Sequence, residues 1–356
     1  MIKIGMVGVG DISGIYLKNF KKKFHNMKLI AVCDLIREKA EKAKEIYDIP
    51  KIYDTMHEMF ADKEIDIILN LTRPYEHFEV SKAALLAGKH VYSEKPLAAS
   101  YEEGLKLVEL AKEKKLMLGG APDTFLGSGI QTCKKLIEDD FIGQPIGAAA
   151  FMICRGHESW HPDPEFYYKY GGGPMMDMGP YYITALINLL GGIKSVTGIA
   201  RTPFKQRTIT STPKKGQIID VDVSTYVSGL MEFESGAIGT LFTTFDVYYP
   251  GQARFEIYGS KGTLFVPDPN TFSGPIKLLR PEDGEIKEMP LLFDYSDNSR
   301  GLGLMDMVTA IETATPFRAS YNQTLHVLEV MNAFQKSSEA KSAIQIKNKF
   351  TLFPPR

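Results

Sequence analysis

Cysteine, net charge and long apolar runs are all scarce in this chain of 356 residues. Its three cysteines, Cys33, Cys133 and Cys154, lie far apart with no CxxC pair, which argues against a disulfide framework and suits reduced thiols in the cytosol. The formal net charge of −1 gives no global positive field to draw the protein onto nucleic acid or an anionic membrane. No apolar stretch reaches the roughly 20 residues a membrane span needs. The opening run MIKIGMVGVG is apolar, but glycines interrupt it and it lacks a signal peptide's layout. Internal repeats and low-complexity tracts are missing too. A cytoplasmic globular protein without nucleic-acid or membrane partners is therefore expected.

What is present is ordinary in bulk and specific in pattern. Hydrophobic residues make up 44% and charged residues 24%, and the length accommodates two domains. The first 122 residues alternate short apolar runs (IKIGMVGVG, KLIAVCD, IDIILNLT, HVYSEK, LMLGGAP) with segments of helical periodicity. Runs so continuously apolar suit parallel strands buried on both faces by crossover helices. Beyond Pro122, helices are expected over 126–140 and from about 174. Longer alternating strands follow (KSVTGIAR, DVSTYVSGLMEF, AIGTLFTTFDV, ARFEIYGS, KGTLFVP), then helices near 303–314 and 320–337. The stretch 202–217 reads as a long, mobile polar loop. The expected fold class is α/β. An N-terminal Rossmann domain with a doubly wound parallel sheet covers 1–122, and a C-terminal α+β domain with a large open, mostly antiparallel sheet covers 123–356.

Gly8 and Gly10 stand directly after the first strand and before a helix, the context that a dinucleotide-binding turn requires. Glycine permits a tight turn and close approach of backbone to a pyrophosphate, and the helix N-terminus offers oriented N–H donors from Asp11 and Ile12. The third small position is Ser13, beside Gly14. Asp34 ends the second strand, where an acid should bind the adenosine ribose and repel a 2′-phosphate; NAD is favoured over NADP, with Arg37 the residue that could reverse this. The plain alternative is an ordinary βα turn with a solvated aspartate.

Glu94-Lys95-Pro96, Thr72-x-Pro74-x-x-His77 and the block GGGPMMDMGPYY at 171–182, together with the nucleotide turn, resemble the Gfo/Idh/MocA oxidoreductases over essentially the whole chain. The resemblance implies hydride transfer between NAD(P) and a secondary alcohol of a sugar, polyol or sugar derivative. It implies that Lys95 is the catalytic lysine beside the nicotinamide, that Glu94 touches the nicotinamide ribose, and that Thr72, Pro74 and His77 belong to the cofactor site. Asp177 matches the acid of a D-x-x-x-H motif, whose histidine position is Tyr181 here. A phenol ionises near pH 10, so Tyr181 needs a neighbouring cation to act as a base, and Lys95 could supply it. Lys95 and Tyr181 are expected to manage the proton and Asp177 to orient them. Pro180 places Asp177 and Tyr181 in a helix's first turn. The family packs as homodimers or homotetramers, which would cover the exposed face of the long strands. Two rival readings are a glycosidase that retains NAD and works by transient oxidation and elimination, and a non-catalytic NAD-binding regulator.

HESWH, residues 157–161, matches the zinc-protease pattern H-E-x-x-H, which needs a continuous helix to aim both imidazoles at one metal. Pro162 follows at once and pushes His161 out of the helical region, so no metal is expected. Arg155, His157, Trp160 and His161 instead offer donors and an aromatic face to a polyol ring, and Asp177 is expected to join them; packing of the loop is the alternative. Asp123, with Thr124, lies at the carboxyl edge of the first sheet and is expected to bind substrate, against a turn-forming role. His326 is expected to be a core or interface histidine, and Arg300 either meets an anionic group or precedes a helix.

Overall fold

The computed structural model describes residues 1–248 and 254–355. The chain forms two compact units, one made of Met1–Thr124 with Asn298–Leu325, the other of Phe125–Asp297 with His326–Arg356. The segment 298–325, which the sequence places in the second domain, thus belongs to the first unit. No helix among the described residues is long and apolar enough to cross a membrane.

The first unit is built on six parallel strands: β1 (Ile2–Val7), β2 (Met27–Cys33), β3 (Lys51–Ile52), β4 (Ile67–Asn70), β5 (His90–Ser93) and β6 (Leu118–Gly120). Their order in the sheet is β3-β2-β1-β4-β5-β6, so it reverses between β1 and β4, the point where such sheets open a crevice at their carboxyl ends. Helices α1 (Ser13–Lys22), α2 (Arg37–Tyr47), α3 (Met56–Ala61), α4 (His77–Leu86) and α5 (Tyr101–Lys114) make the crossovers. Burial of all four residues of β4, and of the last four of β1, explains why these runs read as unbroken apolar stretches.

The second unit opens with α6 (Ser128–Glu138), β7 (Pro145–Ile153) and α7 (Pro174–Leu190). Then come β8 (Ile193–Arg201), β9 (Gln206–Thr208), β10 (Ile218–Asp220), β11 (Tyr226–Phe233), β12 (Ile238–Thr244), β13 (Arg254–Gly259), β14 (Thr263–Phe265), β15 (Ile276–Leu279) and β16 (Ile286–Met289). Helix α8 (Leu302–Thr313) lies in the first unit, the chain returns to the second within α9 (Tyr321–Ala340), and β17 (Ile344–Gln345) ends it. The nine-stranded sheet runs β16-β15-β14-β13-β7-β12-β11-β8-β17 and is antiparallel except for the β12–β7 pair. Helix α7 is buried nearly all round: from Gly179 to Leu190 every residue is in the core.

Two expectations fail here. The stretch 202–217 is not a free loop, because β9 pairs antiparallel with β10 and puts Arg207 into the interior, 3% exposed. Pro180 does not mark the first turn of α7: Pro174 takes the first helical position, so Tyr181 lies in the second turn while Asp177 stays in the first.

Candidate active site

In the first unit, the turn between β1 and α1 needs its glycine at position 8. Gly8 has φ +94°, and a Cβ there would fall 2.7 Å from the Leu71 carbonyl oxygen, in the loop after β4. At Gly10 a Cβ would meet nothing within 4 Å, so the backbone faces open space there. Helix α1 begins two residues after Asp11 with no side chain capping its N-terminus; the Ser13 N–H donates to the Gly10 carbonyl at 3.0 Å, and the later first-turn N–H groups have no side-chain cap. A backbone open at Gly10 and a helix start without a side-chain cap are features that suit a dinucleotide.

Asp34 braces the glycine turn. Its Oδ2 accepts a hydrogen bond from Val9 N–H at 2.6 Å and its Oδ1 one from Ile36 N–H at 2.8 Å, tying the glycine turn to the end of β2. A carboxylate with two oxygens keeps further lone pairs for a ligand hydroxyl. Arg37, the residue that could admit a 2′-phosphate, is paired with Glu41 at 2.8 Å and with Asp54. Both its neighbours compete with such a phosphate, and Asp34 repels it.

Loops at the carboxyl ends of β4 and β5 supply the rest. Thr72 and Pro74 are partly exposed, and the Thr72 hydroxyl donates to Asn70 Oδ1 at 2.6 Å. Lys95 is half-buried, and its N–H donates to Glu94 Oε2 at 2.9 Å; Glu94 Oε1 accepts from the buried Tyr16 hydroxyl on α1 at 2.8 Å. Tyr16, which sequence reasoning missed, therefore fixes the carboxylate beside Lys95. Burial, with Glu94 second, pushes the Tyr16 phenol well up, so it stays a donor. His77 corrects an expectation. It is fully buried, with Nδ1 2.7 Å from the Pro96 carbonyl and Nε2 3.0 Å from the Thr72 carbonyl. Burial lowers its pKa, opposed by the two carbonyls, and the ring lies between the loops after β4 and β5, with one nitrogen on each.

Asp123 is also relocated. It is 1% exposed, and Oδ2 accepts from the N–H groups of Gly301 at 2.8 Å and Gly303 at 3.1 Å, capping α8 from a distant part of the chain. Burial raises its pKa to about 6. The carboxyl is sealed from solvent and engaged at the helix end. Arg300 hydrogen-bonds Asn298 at 2.8 Å just ahead of the same helix.

In the second unit, Asp177 and His157 come together. His157 Nε2 lies 3.2 Å from Asp177 Oδ2, with both side chains largely covered, 12% and 14% exposed. Tyr181, on the same helix, is buried at 6% exposure. The ring of His157 packs edge-on against Tyr167 (4.0 Å between centroids), Phe245 (4.7 Å) and Trp160 (5.1 Å). His161 joins the cluster through Trp160 at 5.4 Å and Tyr167 at 5.3 Å, and its Nδ1 accepts from Asp163 N–H at 3.0 Å. Trp160 is 61% exposed, an aromatic face open to a ligand. The Arg155 guanidinium lies 5.1 Å from the Phe204 ring and 4.8 Å from the Tyr248 ring, and the Arg155 carbonyl accepts from Arg207 at 3.3 Å.

Residues 157–160 form a turn, not a helix, so the two imidazoles of HESWH do not share a helical face. The intervening Glu158 is spoken for: Oε1 accepts from Arg207 at 2.9 Å and Oε2 from the Tyr168 hydroxyl. Arg207 also donates to Asp246 and, at 3.0 Å, to the Phe245 carbonyl. This buried network carries the loop that bears His157, and sequence reasoning did not see it; the alternation of QRTIT in an otherwise polar stretch was its one trace. His326 is a core histidine as expected, 1% exposed, with Nδ1 on the Asn348 carbonyl at 2.6 Å and Nε2 accepting from Ile193 N–H at 3.1 Å.

The sequence matches a family described as an oxidoreductase family with an NAD-binding Rossmann fold over residues 2–120, and the GFO/IDH/MocA C-terminal domain over residues 130–265. The chain belongs to the Gfo/Idh/MocA oxidoreductase family. Its first unit is accordingly the family's NAD-binding domain. An uncharacterised oxidoreductase of Schizosaccharomyces pombe is 29% identical over 340 residues, 86% of this chain and 88% of that protein. The myo-inositol 2-dehydrogenase of Thermotoga maritima is 24% identical over 349 residues, 97% of this chain and 99% of that protein. A levoglucosan dehydrogenase solved with NADH and L-sorbose superposes with a TM-score of 0.83 at 19% identity, covering 98% of this chain and 99% of that one. Such a likeness fixes the Gfo/Idh/MocA fold and leaves the substrate to be argued from residues.

Proposed function

We propose that this member of the Gfo/Idh/MocA family is an NAD-dependent dehydrogenase of a secondary alcohol on a sugar or polyol. The Asp177–His157 pair set in an aromatic cluster carries this reading, because it places a proton-handling group beside surfaces suited to a polyhydroxylated ring. Trp160 offers its face to C–H groups, while Arg155 and His161 supply donors for hydroxyls. Bound NAD would supply the hydride acceptor. Gly8, Gly10, Asp11, Ile12 and Asp34 would hold its phosphates and adenosine, and Thr72, Pro74 and Glu94 its nicotinamide end. The reading gives Lys95, Asp177 and Tyr181 the task of binding and polarising the reacting hydroxyl. Inositol and levoglucosan dehydrogenases among the relatives support this substrate class.

We also propose a cytoplasmic homodimer or homotetramer. Ile199, Tyr226, Leu230 and Ile238 alternate onto one face of the nine-stranded sheet at 61%, 38%, 50% and 58% exposure, apolar surface that a second copy would cover.

A panel of sugars and polyols with NAD, followed by NADH appearance, tests the activity. Lys95→Ala is expected to cut turnover by about 100-fold or more while the protein still binds NADH. Undiminished turnover in that variant would remove Lys95 from the reaction, and a silent panel would remove the activity.

A further inference from the structure

The proton acceptor of this site need not be the tyrosine that occupies position 181. We infer that His157 is the acid–base residue, held by Asp177 through Nε2 and presenting Nδ1 to the reacting hydroxyl. This rests on the dehydrogenase reading above and assigns the residue that takes up the proton within it.

An ionised carboxylate only accepts, so the 3.2 Å contact requires the proton on His157 Nε2. Neutral imidazole carries one N–H, and Nδ1 is then a bare acceptor. Nδ1 takes no hydrogen bond from any described residue, and it is not sealed among the buried polar atoms left without partners. Tyr167, Phe245 and Trp160 pack against the ring and restrict its rotation. A fixed imidazole with one nitrogen on a carboxylate and the other open is the arrangement general-base catalysis uses.

The surroundings favour histidine over tyrosine for this role. The bare nitrogen of a neutral imidazole accepts a proton directly, whereas a phenol must first lose its own. Tyr181 is 6% exposed on a helix that is core on nearly every side. The titratable groups around His157 and its loop include Asp177 on α7, Tyr167 and Tyr168 before α7, His161, Glu158, and, beyond Glu158, Arg207 on β9 with Asp246. Arg207 and Tyr168 absorb the Glu158 charge, which leaves Asp177 as the carboxylate that pairs with the ring. In alcohol oxidation the C–H bond would break with its electron pair leaving as hydride, for which bound NAD would be the acceptor. The O–H bond breaks and its proton passes to Nδ1, giving an imidazolium stabilised by Asp177 and by the aromatic rings.

His157→Gln keeps an N–H donor for Asp177 but cannot take up a proton, so it separates the two functions. In the full-length protein, NADH binding by nucleotide fluorescence should stay within about twofold of the parent, while kcat falls about 100- to 10 000-fold and the acid limb of the kcat/KM profile disappears. Tyr181→Phe should keep that acid limb. Independently of turnover, 15N NMR of labelled histidine should show the neutral His157 ring protonated at Nε2, and Asp177→Asn should abolish that tautomer preference. An acid limb that survives in His157→Gln, or a ring protonated at Nδ1 in the parent, overturns the assignment. Should no sugar or polyol be oxidised, the dehydrogenase reading fails by itself, and the tautomer measurement still decides whether His157 is held as proposed.

Discussion

Replacing Arg207 with methionine should test whether the loop bearing His157 is held by charge. The side chain is 2% exposed and donates to Glu158, to Asp246 and to two backbone carbonyls, those of Arg155 and Phe245. Methionine fills similar volume but leaves two nearly buried carboxylates, 12% and 4% exposed, without their shared cation. Breaking a buried ion pair from one side costs about 3–5 kcal/mol, most of it the penalty of the charges left behind. For a unit of this size that corresponds to roughly 6–20 °C in the unfolding midpoint. The pH dependence supplies a second check. Burial already raises the Asp246 pKa, opposed by the Thr225 hydroxyl and Arg207. With the cation gone that pKa rises further. A carboxyl whose folded pKa lies above its unfolded value favours the folded state at low pH and loses that contribution as pH climbs through the folded pKa. The deficit of Arg207→Met should therefore be largest at neutral pH and shrink on acidification toward the carboxylate range. Scanning calorimetry of both proteins at several pH values measures it. A midpoint change within about 2 °C at neutral pH, or a deficit that grows in acid, would refute the account.

Two further predictions concern the first unit. Asp123 has a folded pKa of about 6 against an ordinary 3.8, so its protonated form stabilises the fold fully below about pH 4, and the contribution is lost as pH rises through 6. The shift amounts to about 3 kcal/mol. Asp123→Asn keeps an oxygen for the Gly301 and Gly303 N–H groups and carries no charge, so its stability relative to the parent should grow between pH 4.5 and 7.5 in urea titrations; parallel curves would show that the carboxyl is not ionising inside the fold. Asp34→Ser removes the charge that opposes a 2′-phosphate, and the ratio of NADP to NAD binding should rise at least about tenfold, or ~1.4 kcal/mol, by calorimetry. An unchanged ratio would mean that Arg37 and its partners, not Asp34, set the preference.

Legibility in the sequence followed distance along the chain. The glycine turn, Asp34 and the βα alternation were readable because each is a local demand: a strand, a positive φ, a helix start and an acid within a few dozen residues. The long strands of the second unit were readable from their alternation, whereas β9, β10, β15 and β16, at three or four residues each, were too short to show a period. Asp123 could not be placed, because its partners Gly301 and Gly303 lie 178 and 180 positions away. His157 was visible as part of HESWH, but the motif directed attention to a metal and to helical spacing. Its actual partner, Asp177, lies 20 positions downstream across a turn that no periodicity predicts. Arg207 was hidden by its company, since a polar stretch ordinarily means solvent.

The return of residues 298–325 to the nucleotide-binding unit bears on how this protein can be taken apart. A gene fragment that stops at Thr124 would encode the six strands but omit α8, and the aspartate that caps it would be stranded without its two amide donors. Chimeras that graft this Rossmann half onto another catalytic half must carry both pieces, or they will inherit an unpaid electrostatic debt at the junction.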